Sequence, residues 1–276
     1  MNNKINQIKT KVVSDDGTEI AYFTSGEGPP LVLVHGALGD HTRWDALRPY
    51  LEPHFTLHAL DRCGRGASGD HADYHIEREY EDVAAVVDAV AKVTGSSVAV
   101  YGHSSGGYYA FGAAALTSNI CKLVLYEGWP PVNPDVWLSP PSFIERMETK
   151  LADGDREGVI ELVARELANM TEEEINAYRK QPSWAARVEA AHTFPREERT
   201  FKNLLLDPGQ AVKFTLPTLL VTGEESPNDW KADAKDVAAA LADARVVTLD
   251  GQGHGADIVA PQIFTKAVLP FLLNHE

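Results

Sequence analysis

The chain has 276 residues, of which 44% are hydrophobic, as expected for one large globular domain or for one domain with an insert. Its formal net charge of -15 argues against nucleic acids and anionic membranes as partners. Two cysteines are too few for a disulfide framework or a cysteine-rich metal site.

The first residues lack an apolar signal core, and no apolar run is long enough to span a bilayer. We therefore expect a cytoplasmic protein with no membrane association. The ten histidines show no paired ligand spacing such as H-E-x-x-H, so we expect neither a metal nor an organic cofactor. The sequence does not indicate an oligomeric state.

The first half of the chain alternates between predicted strands and helices. Two segments of alternating polarity, 7–13 and 18–24, flank a turn and predict an antiparallel hairpin. Further strands are predicted at 31–35, 55–60, 97–101 and 122–126, with helices at 42–51, 76–91 and 105–116. Short links between such elements predict a mostly parallel sheet covered on both faces.

The alternation stops between residues 130 and 214, where only helical patterns occur and prolines such as Pro195 separate them. It resumes with strands at 216–222 and 245–249 and helices at 229–241 and 261–273. We therefore predict a core formed by 1–129 and 215–276, with a helical insert at 130–214.

A nucleophile is predicted where the strand at 97–101 meets the following helix. Residues 102–106 read Gly-His-Ser-Ser-Gly, which matches G-x-S-x-G, with Ser104 at the centre. A serine on such a sharp turn has a strained backbone and an exposed hydroxyl, and the helix N-terminus favours a developing negative charge.

A serine hydroxyl needs a base, and His254 is the best candidate among the histidines. It follows a predicted strand, lies in a glycine-rich loop and is close to the C-terminus. His35 and His103 are weaker candidates that we interpret as structural residues or as polar lining of a pocket.

Together these motifs resemble the α/β-hydrolase fold over almost the whole chain. The matching segments are 35–37 after the third strand, 61–66 after the fourth, the turn at Ser104, and Gly253-His254 after the eighth. The resemblance implies an eight-stranded, mostly parallel twisted sheet with helices on both faces and a helical cap. It also implies an oxyanion hole formed by the backbone N–H groups of Ala37 and Ser105.

The carboxylate that should orient His254 departs from the family's commonest pattern. An aspartate usually follows the seventh strand, three residues past a glycine, but Ser226 occupies that position. Some members take the acid from the end of the sixth strand, where this chain has Glu127, and we favour that residue because a buried strand rarely ends in an unpaired carboxylate. The alternatives lie after the seventh strand: Glu224, Glu225 and Asp229.

Aromatic and polar side chains near the strand ends and in the insert suggest an apolar pocket for a medium-sized, uncharged small molecule. The candidates for its walls are His35, Trp44, His103, Trp129, Trp137, Phe143, Trp184 and Phe194. Packing between cap and core explains each aromatic residue equally well.

The first functional hypothesis is a serine hydrolase of the carboxylic ester type, cleaving an ester or lactone through an acyl-enzyme on Ser104. The second is a biosynthetic tailoring enzyme that uses the same groups for cyclisation, acyl transfer, lyase or carbon–carbon bond chemistry. A third, less favoured, is a non-catalytic small-molecule receptor.

Overall fold

The computed structural model describes residues 7–71, 73–133, 139–168, 170–201 and 205–274. These residues form a single eight-stranded sheet flanked by helices. The strands are β1 (Ile8–Val13), β2 (Glu19–Gly26), β3 (Pro30–Val34), β4 (Thr56–Leu60), β5 (Val98–His103), β6 (Ile120–Tyr126), β7 (Thr218–Gly223) and β8 (Ala244–Leu249).

The strand order is β1-β2-β4-β3-β5-β6-β7-β8. β1 and β2 form the predicted antiparallel hairpin, and β2 also pairs antiparallel with β4. All other neighbouring strands are parallel. The predicted fold class is therefore confirmed. In parallel strands the carboxyl ends share one edge, which brings the ends of β3, β5 and β6 together.

Helices cover both faces of this sheet. They are α1 (Arg48–Leu51), α2 (Ile76–Thr94), α3 (Ser105–Ala113), α4 (Pro141–Ala152), α5 (Arg156–Glu166), α6 (Glu172–Tyr178), α7 (Trp184–Ala190), α8 (Thr193–Phe201), α9 (Pro208–Ala211), α10 (Asn228–Ala240), α11 (Ala256–Val259) and α12 (Pro261–Leu273), with a 3-10 helix at His41–Ala46. One apolar core lies between the sheet and helices α2, α3 and α10. A second lies between the sheet, the 3-10 helix, α1 and α12.

Prolines account for two departures from the predicted helices. The single helix expected at 42–51 is instead the 3-10 helix followed by α1, in whose first turn Pro49 lies. Proline has no N–H to continue a helical ladder, so the helix begins again there. Pro195, expected to separate helices, lies in the first turn of α8, where a missing N–H costs little.

The described residues between 139 and 211 contain α4 to α9 and no strand. Their apolar side chains form a third core cluster that includes Phe143, Met147 and Phe194. Leu38, from the loop after β3, packs into this cluster. The helical region thus contacts the chain segment where the oxyanion hole was predicted.

Within the described ranges, no helix combines the length and apolarity that crossing a bilayer requires.

Candidate active site

Ser104 stands on the turn between β5 and α3 in a backbone conformation that residues other than glycine rarely adopt, with φ +54° and ψ -133°. Its N–H donates to the Tyr126 carbonyl at 2.9 Å, which fixes the turn to the end of β6. A Cβ on Gly106 would lie 2.2 Å from the Val34 carbonyl oxygen, and one on Gly107 would lie 2.0 Å from that of Gly128. The glycines therefore allow the turn to sit against both neighbouring strands.

Glu127, directly after β6, is 1% exposed and lies against His254. Its Oε2 is 2.7 Å from His254 Nδ1, and its Oε1 accepts a hydrogen bond from the Gly223 N–H at 2.7 Å. The Glu127 backbone also has a positive φ of 45°. A carboxylate held by one N–H and facing an imidazole nitrogen can fix the orientation and tautomer of that ring.

The structure does not bring the three alternative acids to His254. Glu224 is exposed and accepts a hydrogen bond from the Gly251 N–H at 2.7 Å. Glu225 is exposed, and Asp229 accepts from the N–H of the next residue, Trp230. Of the four candidate carboxylates, Glu127 is the one in contact with the imidazole.

The loop that carries His254 is held by two side chains from other parts of the chain. The Tyr126 hydroxyl donates to the Gly253 carbonyl and accepts from the Ala256 N–H at 3.1 Å. His103 Nε2 lies 2.8 Å from the His254 carbonyl oxygen, so this nitrogen carries the proton. Burial lowers the pKa of His103 well below its usual value, which keeps that ring neutral and suited to this structural contact.

Asp257 anchors the far side of the same loop. Its carboxylate accepts two hydrogen bonds from Arg43 Nη2, at 2.9 and 2.8 Å, and one from the Tyr101 hydroxyl at 3.0 Å. Arg43 belongs to the 3-10 helix, so the segment after β3 is tied to the segment after β8. The imidazole therefore stands on a loop fixed from both ends.

Ser104 and His254 lie on neighbouring loops at this edge of the sheet. The ring of His103, which precedes Ser104, has its centroid 4.5 Å from that of His254. In the described chain, no direct hydrogen bond joins the Ser104 hydroxyl to His254. Such bonds often tighten only when substrate binds.

The loop after β3 passes close to Ser104. A Cβ on Gly36 would lie 2.9 Å from that of Ser104, so only glycine leaves room for this approach. Over the described part of the chain, neither the Ala37 N–H nor the Ser105 N–H has a protein acceptor. Two backbone N–H groups without a protein acceptor therefore flank the serine in the described chain.

His35 lies behind this loop and does not face an open pocket. It is fully buried, its Nδ1 is 2.8 Å from the Gly36 carbonyl oxygen, and its Nε2 accepts from the Arg62 N–H at 3.2 Å. Burial and the nearby Arg62 and Arg65 lower the pKa of His35 well below its usual value. The ring is therefore neutral, with its proton on Nδ1.

Most of the aromatic candidates for the pocket wall pack elsewhere. Trp44 and Trp129 have no exposed surface, and the Trp129 indole N–H donates to Asp233 at 2.8 Å. Phe143 and Phe194 belong to the core of the helical region, where Trp184 packs at its edge. Trp137 lies outside the described residues. The expectation that these residues form an apolar wall is therefore not met for Trp44 and Trp129, because both are enclosed in the core.

A cavity of about 230 Å³ opens beside the loop after β3, between the 3-10 helix, α7 and α11. Its lining includes Leu38, Gly39, Arg43, Gln181, Arg187 and Ile258. Most of its lining surface is apolar, and the guanidinium groups of Arg43 and Arg187 also lie at its wall. Elsewhere in the described ranges, no group of three or more His, Cys, Asp or Glu side chains is arranged to hold a metal ion.

Sequence reasoning missed the residues that hold the His254 loop. The Trp230 ring, at the start of α10, lies 5.5 Å from the His254 ring in an edge-to-face arrangement. Tyr126 was assigned only to a buried strand, and the Arg43–Asp257 pair joins residues 214 positions apart. The one local signal was a tyrosine ending a β-branched and leucine-rich strand, where a buried hydroxyl needs a partner.

Comparison with known proteins agrees with this fold. The chain is 34% identical to an alpha/beta hydrolase from Sphaerobacter thermophilus, with 95% of this chain and 100% of that chain covered and a TM-score of 0.82. A hydrolase from Pseudomonas aeruginosa is 27% identical, with 96% and 98% covered and a TM-score of 0.75. A 2-hydroxy-6-oxo-6-(2'-aminophenyl)hexa-2,4-dienoic acid hydrolase from Metapseudomonas resinovorans is 24% identical, over 99% of this chain and 96% of the relative.

The model of the Alpha/beta hydrolase family matches residues 31–267, from β3 into α12. That span includes the turn at Ser104, the strand end at Glu127 and the loop of His254. With the matching fold and the relatives above, it establishes that this chain belongs to the alpha/beta hydrolase family.

Proposed function

We propose that the protein is a serine hydrolase that cleaves a carboxylic ester or lactone through an acyl-enzyme on Ser104. The observation that carries this proposal is the position of Ser104 between two free backbone donors, the N–H groups of Ala37 and Ser105. Such a pair meets the negative charge that develops on a carbonyl oxygen during attack.

In this mechanism His254 takes the proton from the Ser104 hydroxyl as the oxygen attacks the carbonyl carbon. Glu127 keeps the proton on His254 Nδ1, so that Nε2 is free to accept. His254 then returns the proton to the leaving alcohol, and water releases the acyl group by the same route. We assign the helical region at 130–214 as the cap over a small-molecule site.

A screen of p-nitrophenyl esters and lactones of varied acyl length tests the proposal. We expect turnover that Ser104→Ala abolishes, and labelling of the wild-type protein, but not of Ser104→Ala, by a fluorophosphonate probe. A folded wild-type protein that neither turns over these substrates nor labels would refute the proposal and favour a binding role.

A second candidate is hydrolysis of a carbon–carbon bond on the same residues. The relative from Metapseudomonas resinovorans is named as the hydrolase of a 6-oxo dienoic acid, which is a ketone and not an ester. Product analysis separates the two activities. Ester hydrolysis gives an acid and an alcohol, whereas hydrolysis of the carbon–carbon bond gives an acid and a fragment whose cleaved carbon has gained a hydrogen.

A further inference from the structure

The peptide between Gly36 and Ala37 carries one of the two free donors at Ser104. In a trans peptide the carbonyl oxygen and the N–H point in opposite directions within one plane. Fixing the Gly36 oxygen therefore fixes the direction of the Ala37 N–H. What holds that oxygen determines where the donor points.

Two buried groups hold the Gly36 oxygen. His35 donates to it from Nδ1 at 2.8 Å, and Arg62 donates from Nη1 at 3.1 Å. The same Nη1 lies 3.5 Å from the His35 carbonyl oxygen and 3.5 Å from the Ser105 hydroxyl oxygen. Arg62 thus touches both loops that carry the free N–H groups.

Donation from a guanidinium also polarises the peptide. A cationic donor on the carbonyl oxygen draws electron density from the amide, which makes the N–H at its other end a stronger donor. The effect depends on Arg62 being charged and desolvated. Burial acts to lower the pKa of Arg62, but the Glu79 carboxylate more than offsets it, so the pKa lies above its ordinary value.

A fully buried ion cluster sets the position of this guanidinium. Arg62 forms a two-pronged contact with Glu79, at 2.9 and 2.7 Å, and lies 3.1 Å from Glu197 of α8. Arg65 pairs with the same Glu197 and donates to the Cys63 carbonyl at 2.6 Å. The two arginines thus share their carboxylates, but of these two only Arg62 reaches the Gly36 oxygen in the described chain.

We propose that Arg62 is a positioning residue that, with His35, orients and polarises the Gly36–Ala37 peptide so that the Ala37 N–H faces the reacting carbonyl oxygen. This inference rests on the proposed hydrolase function. It also links the helical region to the site, because Glu197 of α8 helps to hold Arg62.

Arg62→Met is the decisive variant, and Arg65→Met is its matched control, since it removes the same charge from the same cluster. With p-nitrophenyl acetate, we expect Arg62→Met to lower kcat about 100-fold with KM changed less than about threefold. We expect a similar loss of affinity for phenylboronic acid, which forms a tetrahedral adduct on serine. Arg65→Met should lower Tm comparably but lower kcat less than about threefold.

His35→Leu keeps the ion cluster and removes the other donor, so it provides the same test if Arg62→Met does not fold. Crystal structures of the variants give a readout that is independent of activity, and we expect the Gly36–Ala37 peptide to rotate or lose its fixed orientation. An unchanged peptide, or equal kcat losses in Arg62→Met and Arg65→Met, would overturn the inference. An inactive, unlabelled wild-type protein would instead refute the proposed function, and the crystallographic readout would still decide the role of Arg62.

Discussion

Glu127 and Gly128 show how one residue pair can position a carboxylate. Glu127 leaves β6 with a positive φ, which turns its side chain towards His254 and Gly223. A Cβ on Gly128 would lie 1.6 Å from the Ser104 carbonyl oxygen, so no other residue fits there. An acid at the end of this strand therefore requires a glycine directly after it.

Replacing Glu127 by glutamine should remove most of the activity without changing the shape of the site. The amide oxygen of Gln would accept from the Gly223 N–H, which leaves its NH₂ facing His254 Nδ1. That nitrogen would have to accept, so the proton would move to Nε2 and the ring could not serve as a base. We expect kcat with a p-nitrophenyl ester to fall about 10⁴-fold.

Glu224→Gln is the matched control, because Glu224 also accepts a backbone N–H near this loop, that of Gly251. Its kcat should change less than about twofold. A large loss in Glu224→Gln with little change in Glu127→Gln would place the orienting acid after β7 instead.

Tyr126→Phe tests whether the hydroxyl that bridges Gly253 and Ala256 positions the base. Its removal leaves a carbonyl and an N–H without their partner, at a cost of about 1–3 kcal/mol in the free energy of unfolding. We expect kcat to fall about tenfold as the His254 loop loosens. Urea unfolding and ester hydrolysis measure the two effects.

Tyr50→Phe is the comparison, since its hydroxyl bonds only the side chain of Gln262 at the surface among the described residues. A Tyr126→Phe variant with unchanged kcat would show that the loop holds its position without this bridge.

At the scale of elements, the glycines show which parts of the site have room for a larger side chain and which do not. Gly107, in the first turn of α3, packs directly on Gly128, whereas Gly253 beside His254 has no atom within 4 Å of an added Cβ. The turn at Ser104 is therefore close-packed, whereas the loop that carries His254 has space around it.

We expect Gly107→Ala to destabilise the protein by about 3 kcal/mol or more, because the methyl group would overlap backbone that cannot move. Gly253→Ala should change the free energy of unfolding by less than about 0.5 kcal/mol. Thermal and urea unfolding of both variants provide the measurement, and equal destabilisation would contradict this account of the packing.

The core strands could be predicted from sequence to within a few residues, because continuous apolar runs have few alternatives to a buried strand. Contacts between distant segments could not. Nothing local in Arg43 or Asp257 shows that they pair, and burial of Trp129 depends on Asp233 in α10. Glu127 could be predicted because it directly follows a strand, which places it at the carboxyl edge of the parallel sheet, where Ser104 also lies.

At the scale of the whole molecule, the acidic chain buries several of its carboxylates. Glu79 and Glu197 are compensated by Arg62 and Arg65. Asp82, in α2, is 2% exposed and forms no ion pair within the described part of the chain. Its environment therefore opposes ionisation.

Burial raises the pKa of Asp82 from 3.8 to about 7, with a further rise from Glu79 and Glu81 and only partial opposition from Ser14 and Arg62. The unfolded state ionises first, so the stability provided by the neutral carboxyl is present below pH 3.8 and is lost as the pH rises to about 7. Asp82→Asn should remove this dependence. We expect its gain in unfolding free energy over wild type to be about 2 kcal/mol larger at pH 8 than at pH 5.

Urea titrations at the two pH values measure that difference, with Asp88→Asn, an exposed position on the same helix, as the control. A gain independent of pH would mean that Asp82 is not the group responsible.

In the proposed mechanism the orienting carboxylate follows β6, and among the described residues the turn between β7 and α10 contributes only the Gly223 N–H to it. Positions 224 and 225 should then tolerate substitution without loss of catalysis. A combinatorial library confined to those two codons should therefore spare turnover.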